Sequence, residues 1–330
     1  FSARMVLVTK LTKMLGITHP IVQGGMHFVG YAPLAAAVSN AGGLGIITAL
    51  TMKTPENLRA EIRKCRELTD KPFGVNLTLL PAIIPADYGA FAQVIIDEGV
   101  KIAETAGSSP QKYMAMFKEN NVTVLHKCTS IRHALSAVKY GADVISMDGF
   151  ECAGHPGEDD IGNLVLLAKA RKTMPVPFIA SGGIGDGAQL AACLALGAEG
   201  VNMGTRFMAT AEAPIHQNIK QALVDHDERD TTLIFRTLKN TERVFKNETA
   251  KEVIAREAAK PGDFSVIAGL VKGDMYRKSF QETGDISDSV WSAGTVMGLI
   301  DDVPTCKELI EGMVAEAEEI INGRLPSLTK

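Results

Sequence analysis

Eight short, β-rich apolar runs alternate with helix-length segments between residues 21 and 203, and this alternation restricts the fold more than any other feature of the chain. The runs are 21–23, 45–48, 74–77, 102–105, 122–126, 144–147, 178–180 and 200–203; helical patterns occupy segments such as 34–41, 56–68, 111–119, 131–140, 163–171 and 188–196. Strands that read as continuous apolar runs are buried on both faces, and strands joined through helices pair in parallel. Two helix-to-strand joints, Tyr140-Gly-Ala-Asp143 and Leu196-Gly-Ala-Glu199, place glycine where a left-handed residue ends a helix. The predicted fold class is α/β, a (β/α)8 TIM barrel with an inserted helical subdomain after the last strand.

The expected organisation is a barrel over 5–213, an inserted helical substrate or lid unit over 214–280, and C-terminal helices over 281–330 that complete the barrel. The insertion is polar and charged, and reads as amphipathic helices with weak strand potential; a long helix over 305–322 follows it. Residues Phe1 to Arg4, ahead of Met5, are not expected to contribute to the fold.

With 34 Lys plus Arg against 38 Asp plus Glu, the chain is mildly acidic, which argues against a nucleic-acid binder. Five scattered cysteines without a Cys-x-x-Cys pair fit a reduced, cytoplasmic protein rather than a disulfide scaffold or zinc ribbon. Residues 20–52 contain no Asp, Glu, Lys or Arg, yet Pro33, Asn40 and Gly42-Gly43 cut the stretch into pieces too short to span a bilayer. Buried barrel wall is the expected reading.

Barrels of this kind build their reaction site at the C-terminal ends of the strands. There the sequence offers Gln23-Gly-Gly-Met26 after the first strand, Asn76-Leu-Thr-Leu-Leu-Pro81 after the third, His126-Lys-Cys-Thr129 after the fifth and Asp148 to Asp160 after the sixth. Ser181-Gly-Gly-Ile-Gly-Asp186 and Gly204-Thr-Arg206 follow the seventh and eighth. Glycine loops at these last two positions are a phosphate-binding signal, because their N–H groups and the next helix N-terminus favour an anion. No G-x-G-x-x-G follows a strand in a βαβ pattern, so a Rossmann dinucleotide site is not supported.

Lys127, read as lying directly beyond a buried strand, is a candidate fixed charge for a developing anion; the plainer reading is a rim lysine reaching solvent. Asp148 could accept from a ligand, pair with Lys127 or cap the next loop. His155 is a candidate for proton transfer, or a histidine that is simply hydrogen-bonded. Glu158, Asp159 and Asp160 are expected to cap a helix starting near Ile161 rather than to bind a metal, and no metal is expected. Cys152 reads as a packed free thiol, and His216 and His226 as surface residues.

Together, Gln23 to Met26, His126 to Thr129, Asp148 to Glu158, Ser181-Gly-Gly183 and Met203-Gly-Thr-Arg-Phe207 resemble the nitronate monooxygenase (2-nitropropane dioxygenase) family of FMN-dependent oxidoreductases. The resemblance runs from about Leu11 to the C-terminal helix. It implies one non-covalent FMN with its phosphate on Gly182, Gly183, Gly204 and Thr205. Gly25, Met26 and Asn76 would lie along the isoalloxazine and Lys127 near its N1–C2=O edge, where negative charge grows on reduction. Asp148, Gly154, Ser181 and Met203 match further cofactor-binding positions, and His155 the substrate-side histidine. The implied catalytic residues are therefore His155 and Lys127. In the family reaction electrons pass from an alkyl nitronate to O2, so His155 would be a base only towards neutral nitroalkanes, and otherwise a hydrogen-bond donor.

Asn76 to Pro81, His126 to Thr129 and Gly149 to Glu158 look most like a branch acting as NADH:quinone reductase. In that branch the loop carrying Pro81 gates the flavin and helps bind the pyridine nucleotide; Ile83 departs from the polar residue expected there. The family borders flavin enoyl-thioester reductases, although no acyl-carrier marker is present. Two further readings are a lyase or isomerase barrel with Lys127 as Schiff-base nucleophile, and a non-enzymatic flavin-storing or partner-binding barrel. The expected partners are small-molecule substrates and O2, with no nucleic acid and no membrane span; oligomeric state is not legible.

Overall fold

The computed structural model describes residues 7–79 and 86–329. Eight strands form the barrel wall: β1 (Ile21–Gln23), β2 (Gly45–Thr48), β3 (Phe73–Leu79), β4 (Ile102–Gly107), β5 (Thr123–Cys128), β6 (Val144–Asp148), β7 (Phe178–Ser181) and β8 (Val201–Met203). All pairings are parallel, in the order β1-β8-β7-β6-β5-β4-β3-β2, and a parallel bridge between Val22 and Leu44 closes the ring. At this seam β1 is short and the Gln23 side chain extends the ladder. Its Oε1 accepts from Ile46 N at 3.0 Å, while its Nε2 donates to the carbonyls of Ile46 and Gly24. The charge-free stretch 20–52 is indeed barrel wall: β1, a helix and β2.

Helix α1 (Lys10–Leu15) precedes the barrel, and α2 (Ala32–Asn40), α3 (Pro55–Leu68), α4 (Tyr88–Asp97), α5 (Gln111–Glu119), α6 (Ile131–Lys139), α7 (Asn163–Thr173) and α8 (Gly187–Ala195) alternate with the strands. A reciprocal Thr9–Thr12 capping box starts α1, whose Leu11 and Leu15 plug the bottom of the barrel against Val22, Ile46, Ile102, Leu125, Val144 and Ile179. The glycines singled out at the two helix ends, Gly141 and Gly197, have φ of 107° and 94°, the left-handed geometry expected of them.

After β8 come α9 (Thr205–Met208), α10 (Gln217–Asp225), β9 (Thr231–Ile234), β10 (Glu242–Phe245), α11 (Glu248–Ala259), α12 (Gly273–Lys278) and α13 (Cys306–Glu319), the last packing on α8 and α2. The segment after β8 is thus not purely helical, because β9 and β10 form an antiparallel hairpin. Its turn gives no glycine signal: Phe235 and Lys239 take the positive φ values, 61° and 54°. His216 and His226 are half-buried rather than surface residues, His226 lying edge-on to Phe245. Among the described residues no helix is long and apolar enough to cross a membrane.

Candidate active site

Side chains two residues apart on a strand share a face. Inside this barrel that rule carries each strand from the aliphatic plug to a polar group: Ile102 to Glu104, Leu125 to Lys127, Val144 to Ser146 and Asp148, Ile179 to Ser181. Glu104, wholly buried, collects three donors: Oε2 accepts from Asn76 Nδ2 at 2.8 Å and from Gly25 N at 2.9 Å, Oε1 from Asn202 Nδ2 at 2.8 Å. Ser146 Oγ donates to Asp148 Oδ1 at 3.4 Å, and Lys127 Nζ stands 3.6 Å from Asp148 Oδ2.

Lys127 is therefore the penultimate residue of β5 and faces the interior, not a rim lysine beyond the strand. Burial pulls its pKa down, but the Asp148 and Glu104 carboxylates outweigh that and hold it above the ordinary lysine value, so the ammonium stays charged. Burial lifts the Asp148 carboxyl above its usual range, with Lys127 opposing.

Above this polar layer lies a cavity of about 170 Å³. Gly25, Met26, Lys127, Gly154, Ser181, Gly182, Gly183, Met203, Gly204 and Thr205 line it, ten of the positions read from the sequence. Asn76 and Asp148 are not in the lining; they belong to the polar layer beneath. Pro81 and Ile83 fall outside the described residues. Several lining residues escaped the sequence reading, among them Asn202, His27 and Tyr276. His27, whose pKa drops to about 4 through burial and the nearby Lys53, directly follows the Gly24-Gly25-Met26 turn. Tyr276 comes from α12 and meets Phe28 edge-on at 5.4 Å, a contact that no local signal announces.

The glycine turn after β7 takes backbone geometry that only glycine adopts readily. Gly182 and Gly183 have φ of 90° and 73°, and a Cβ on either would come within 2.8 Å of Cys152 Cβ or 2.7 Å of Glu151 Cβ, respectively. Side chains are excluded there, so the turn meets the cavity with backbone alone. Across the cavity, Thr205 Oγ1 accepts from Gly294 N at 3.0 Å. Arg206 points away: buried, it donates to Asp302 Oδ1 at 2.5 Å and Ala209 O at 3.3 Å, and so anchors α9. Among the described residues no three His, Cys, Asp or Glu side chains are grouped to hold a metal.

His155 does not line the cavity; it is exposed on the loop after β6, with Nδ1 3.0 Å from Thr241 O. A carbonyl only accepts, so Nδ1–H is the donor and Nε2 is the nitrogen left for another partner. The insertion's hairpin fixes this loop. Gly154 and Arg243 exchange backbone hydrogen bonds of 3.1 and 2.6 Å, and the Arg243 guanidinium donates to Phe150 O at 2.9 Å. Glu158 and Asp160 belong to the same clamp, a correction to the expected helix cap. Glu158 accepts from Thr241 N and Oγ1, both at 2.7 Å, and Asp160 pairs with Arg236 at 2.9 Å. Helix α7 starts after Gly162, which gives no side-chain cap, and the Glu151 carboxylate accepts from Asn163 N at 3.0 Å instead.

A family model described as nitronate monooxygenase matches residues 8–316. Among curated proteins, (3aS,4S,5R,7aS)-5-hydroxy-7a-methyl-1-oxo-octahydro-1H-indene-4-carboxyl-CoA dehydrogenase of Rhodococcus jostii (strain RHA1) is 34% identical over 94% of this chain and 96% of its own. Nitronate monooxygenase of Paraburkholderia phytofirmans is 32% identical over 67% of this chain and 72% of its own. Of solved structures, FabK from Thermotoga maritima superposes with a TM-score of 0.90 at 36% identity, covering 97% of this chain and 99% of that one. Nitroalkane oxidase from Streptomyces ansochromogenes superposes with a TM-score of 0.83 at 29% identity, covering 95% and 99%.

Proposed function

The chain belongs to the nitronate monooxygenase family, and from that premise we propose that it is an FMN-dependent oxidoreductase that oxidises alkyl nitronates with O2 as acceptor. The observation that carries the cofactor is the side-chain-free turn at Gly182 and Gly183 facing Gly204 and Thr205, at the ends of β7 and β8, where barrels bind phosphate. Bound there, FMN supplies the redox chemistry and the protein supplies binding, orientation and electrostatics. Gly25, Met26, Asn76, Asp148, Gly154, Ser181 and Met203 would surround the ring system. Lys127 would stabilise the charge that grows on it. His155, with a free Nε2, would take a proton from a neutral nitroalkane; a nitronate, already deprotonated, needs no such step.

Two specific observations favour other donors or acceptors. The His126 to Thr129 and Gly149 to Glu158 segments resemble the NADH:quinone reductase branch. The Rhodococcus relative, matched over nearly its whole length, carries a CoA-thioester name.

One experiment separates these readings. The flavin released on denaturation is identified by chromatography, and the intact protein is mixed anaerobically with an alkyl nitronate, NADH or NADPH while flavin absorbance is followed. We expect FMN, rapid bleaching by the nitronate and little by either nucleotide. Stoichiometric FAD, or a colourless protein that takes up no FMN, contradicts the cofactor assignment. Bleaching by NADH with reoxidation faster by a benzoquinone than by O2 replaces the substrate reading with quinone reduction, and reoxidation by an unsaturated acyl thioester replaces it with thioester reduction. In the same assays His155→Ala should lower turnover of the neutral nitroalkane by about 10²–10⁴-fold and that of the nitronate far less. Equal losses make His155 a hydrogen-bond donor instead.

A further inference from the structure

Glu104 is the one acidic residue of β4, and its carboxylate lies fully buried in the barrel interior. The three N–H groups that converge on it come from separate parts of the wall: the turn after β1 (Gly25), β3 (Asn76) and β8 (Asn202). We propose that Glu104 is a positioning residue for the cofactor, holding the Gly25 peptide and the Asn76 and Asn202 amides in place beneath it. The assignment rests on the FMN reading above.

The chemistry requires a carboxylate. Two oxygens with about four lone-pair directions can accept three hydrogen bonds. A glutamine has one acceptor oxygen, and its amide N–H groups would face donors. At least one of the three N–H groups would lose its partner, at the cost of an unsatisfied buried donor. The geometry is tight as well as polar. Gly25 N and Asn76 Nδ2 share the same oxygen, and a Cβ on Gly25 would come within 2.3 Å of Asn76 Cγ. Glu104 Oε2 thus ties the turn and the amide together where no side chain fits between them. The charge has a second consequence. Glu104 adds a negative charge on the side of Asp148, against Lys127, so its removal favours electron uptake by a group bound above.

Apoprotein is titrated with FMN by fluorescence quenching, and the midpoint potential of the loaded protein is measured, for wild type, Glu104→Gln and Glu104→Asp. For Glu104→Gln we expect at least a tenfold higher Kd for FMN and a more positive potential. A merely structural role would not move the potential. Glu104→Asp keeps the charge but withdraws the oxygens, so its affinity should fall while its potential moves less. An affinity within twofold of wild type and an unchanged potential in Glu104→Gln overturn the assignment. If circular dichroism shows that Glu104→Gln does not fold, Glu104→Asp decides: weaker FMN binding supports the assignment, and wild-type binding overturns it. Wild-type apoprotein that takes up no FMN defeats the cofactor reading itself, an outcome distinct from a failure of Glu104 alone.

Discussion

Gly182→Ala should weaken FMN binding about a hundredfold while Gly262→Ala leaves it unchanged. Both glycines have positive φ, 90° and 82°, so both substitutions incur the left-handed penalty of roughly 1–2 kcal/mol. Their surroundings differ. Around Gly262 a new Cβ meets nothing within 4 Å, whereas at Gly182 it meets Cys152 Cβ at 2.8 Å and Cys152 N and Gly149 O at 3.0 Å. Two of those three atoms are backbone, and they belong to the loop that the insertion's hairpin already clamps, so the Gly182 turn itself must move. If the proposed phosphate sits on this turn, displacing it costs at least one charge-assisted hydrogen bond, roughly 1.5–3 kcal/mol. The left-handed penalty is common to the free and loaded protein, so the lost contact sets the change in affinity, and about 3 kcal/mol corresponds to roughly two decades in Kd. FMN titration of both apoproteins checks this. Binding by Gly182→Ala within threefold of wild type would move the phosphate elsewhere.

The contrast between those two glycines also explains what could be read from the sequence. The strands were legible because parallel barrel strands are apolar on both faces, and the Gly182-Gly183 and Gly204-Thr205 loops because they fall at consecutive strand ends. Glu104 and Ser146 were hidden by the same logic. One polar residue inside an apolar run looks like an interruption until a closed barrel gives the strand an interior face with a polar upper layer. Lys127 was placed one step too far out for a related reason, since the strand was expected to stop at His126 and instead runs to Cys128. His155 was found as a residue but not as a position: its exposure and its Thr241 partner depend on the hairpin, whose turn lacks the usual glycine or Asn-Gly signature. The acidic residues Glu158 and Asp160 were misassigned because the Thr241 and Arg236 partners that claim them lie about eighty positions away in sequence. Tyr276 reaches the cavity through the fold of the insertion alone.

Lys127→Met should lower the midpoint potential of the bound flavin by tens of millivolts, and Asp148→Asn should raise it. Methionine keeps most of the apolar stem of lysine, so packing against the strand neighbours is largely retained while the charge is lost. A unit charge about 4 Å from a growing anion is worth about 4 kcal/mol at an effective dielectric constant near 20. The full amount is not expected, because removing the ammonium also leaves Asp148 without the cation 3.6 Å away. Burial already lifts the Asp148 carboxyl, so in the variant it takes up a proton more readily and restores part of the lost balance. A net effect of about 1.4–3 kcal/mol corresponds to roughly 30–60 mV for a two-electron couple. The sign of the pH dependence follows from the same proton. At low pH Asp148 is neutral in the variant and the difference from wild type is small; as pH rises through its raised pKa the carboxylate ionises and the difference widens. Asp148→Asn removes the negative partner outright and leaves the Lys127 charge less compensated, hence the opposite shift. Potentials measured across pH for both variants test the pair together. An unchanged or higher potential in Lys127→Met would mean that the ammonium serves Asp148 and Glu104 alone and does not act on the flavin.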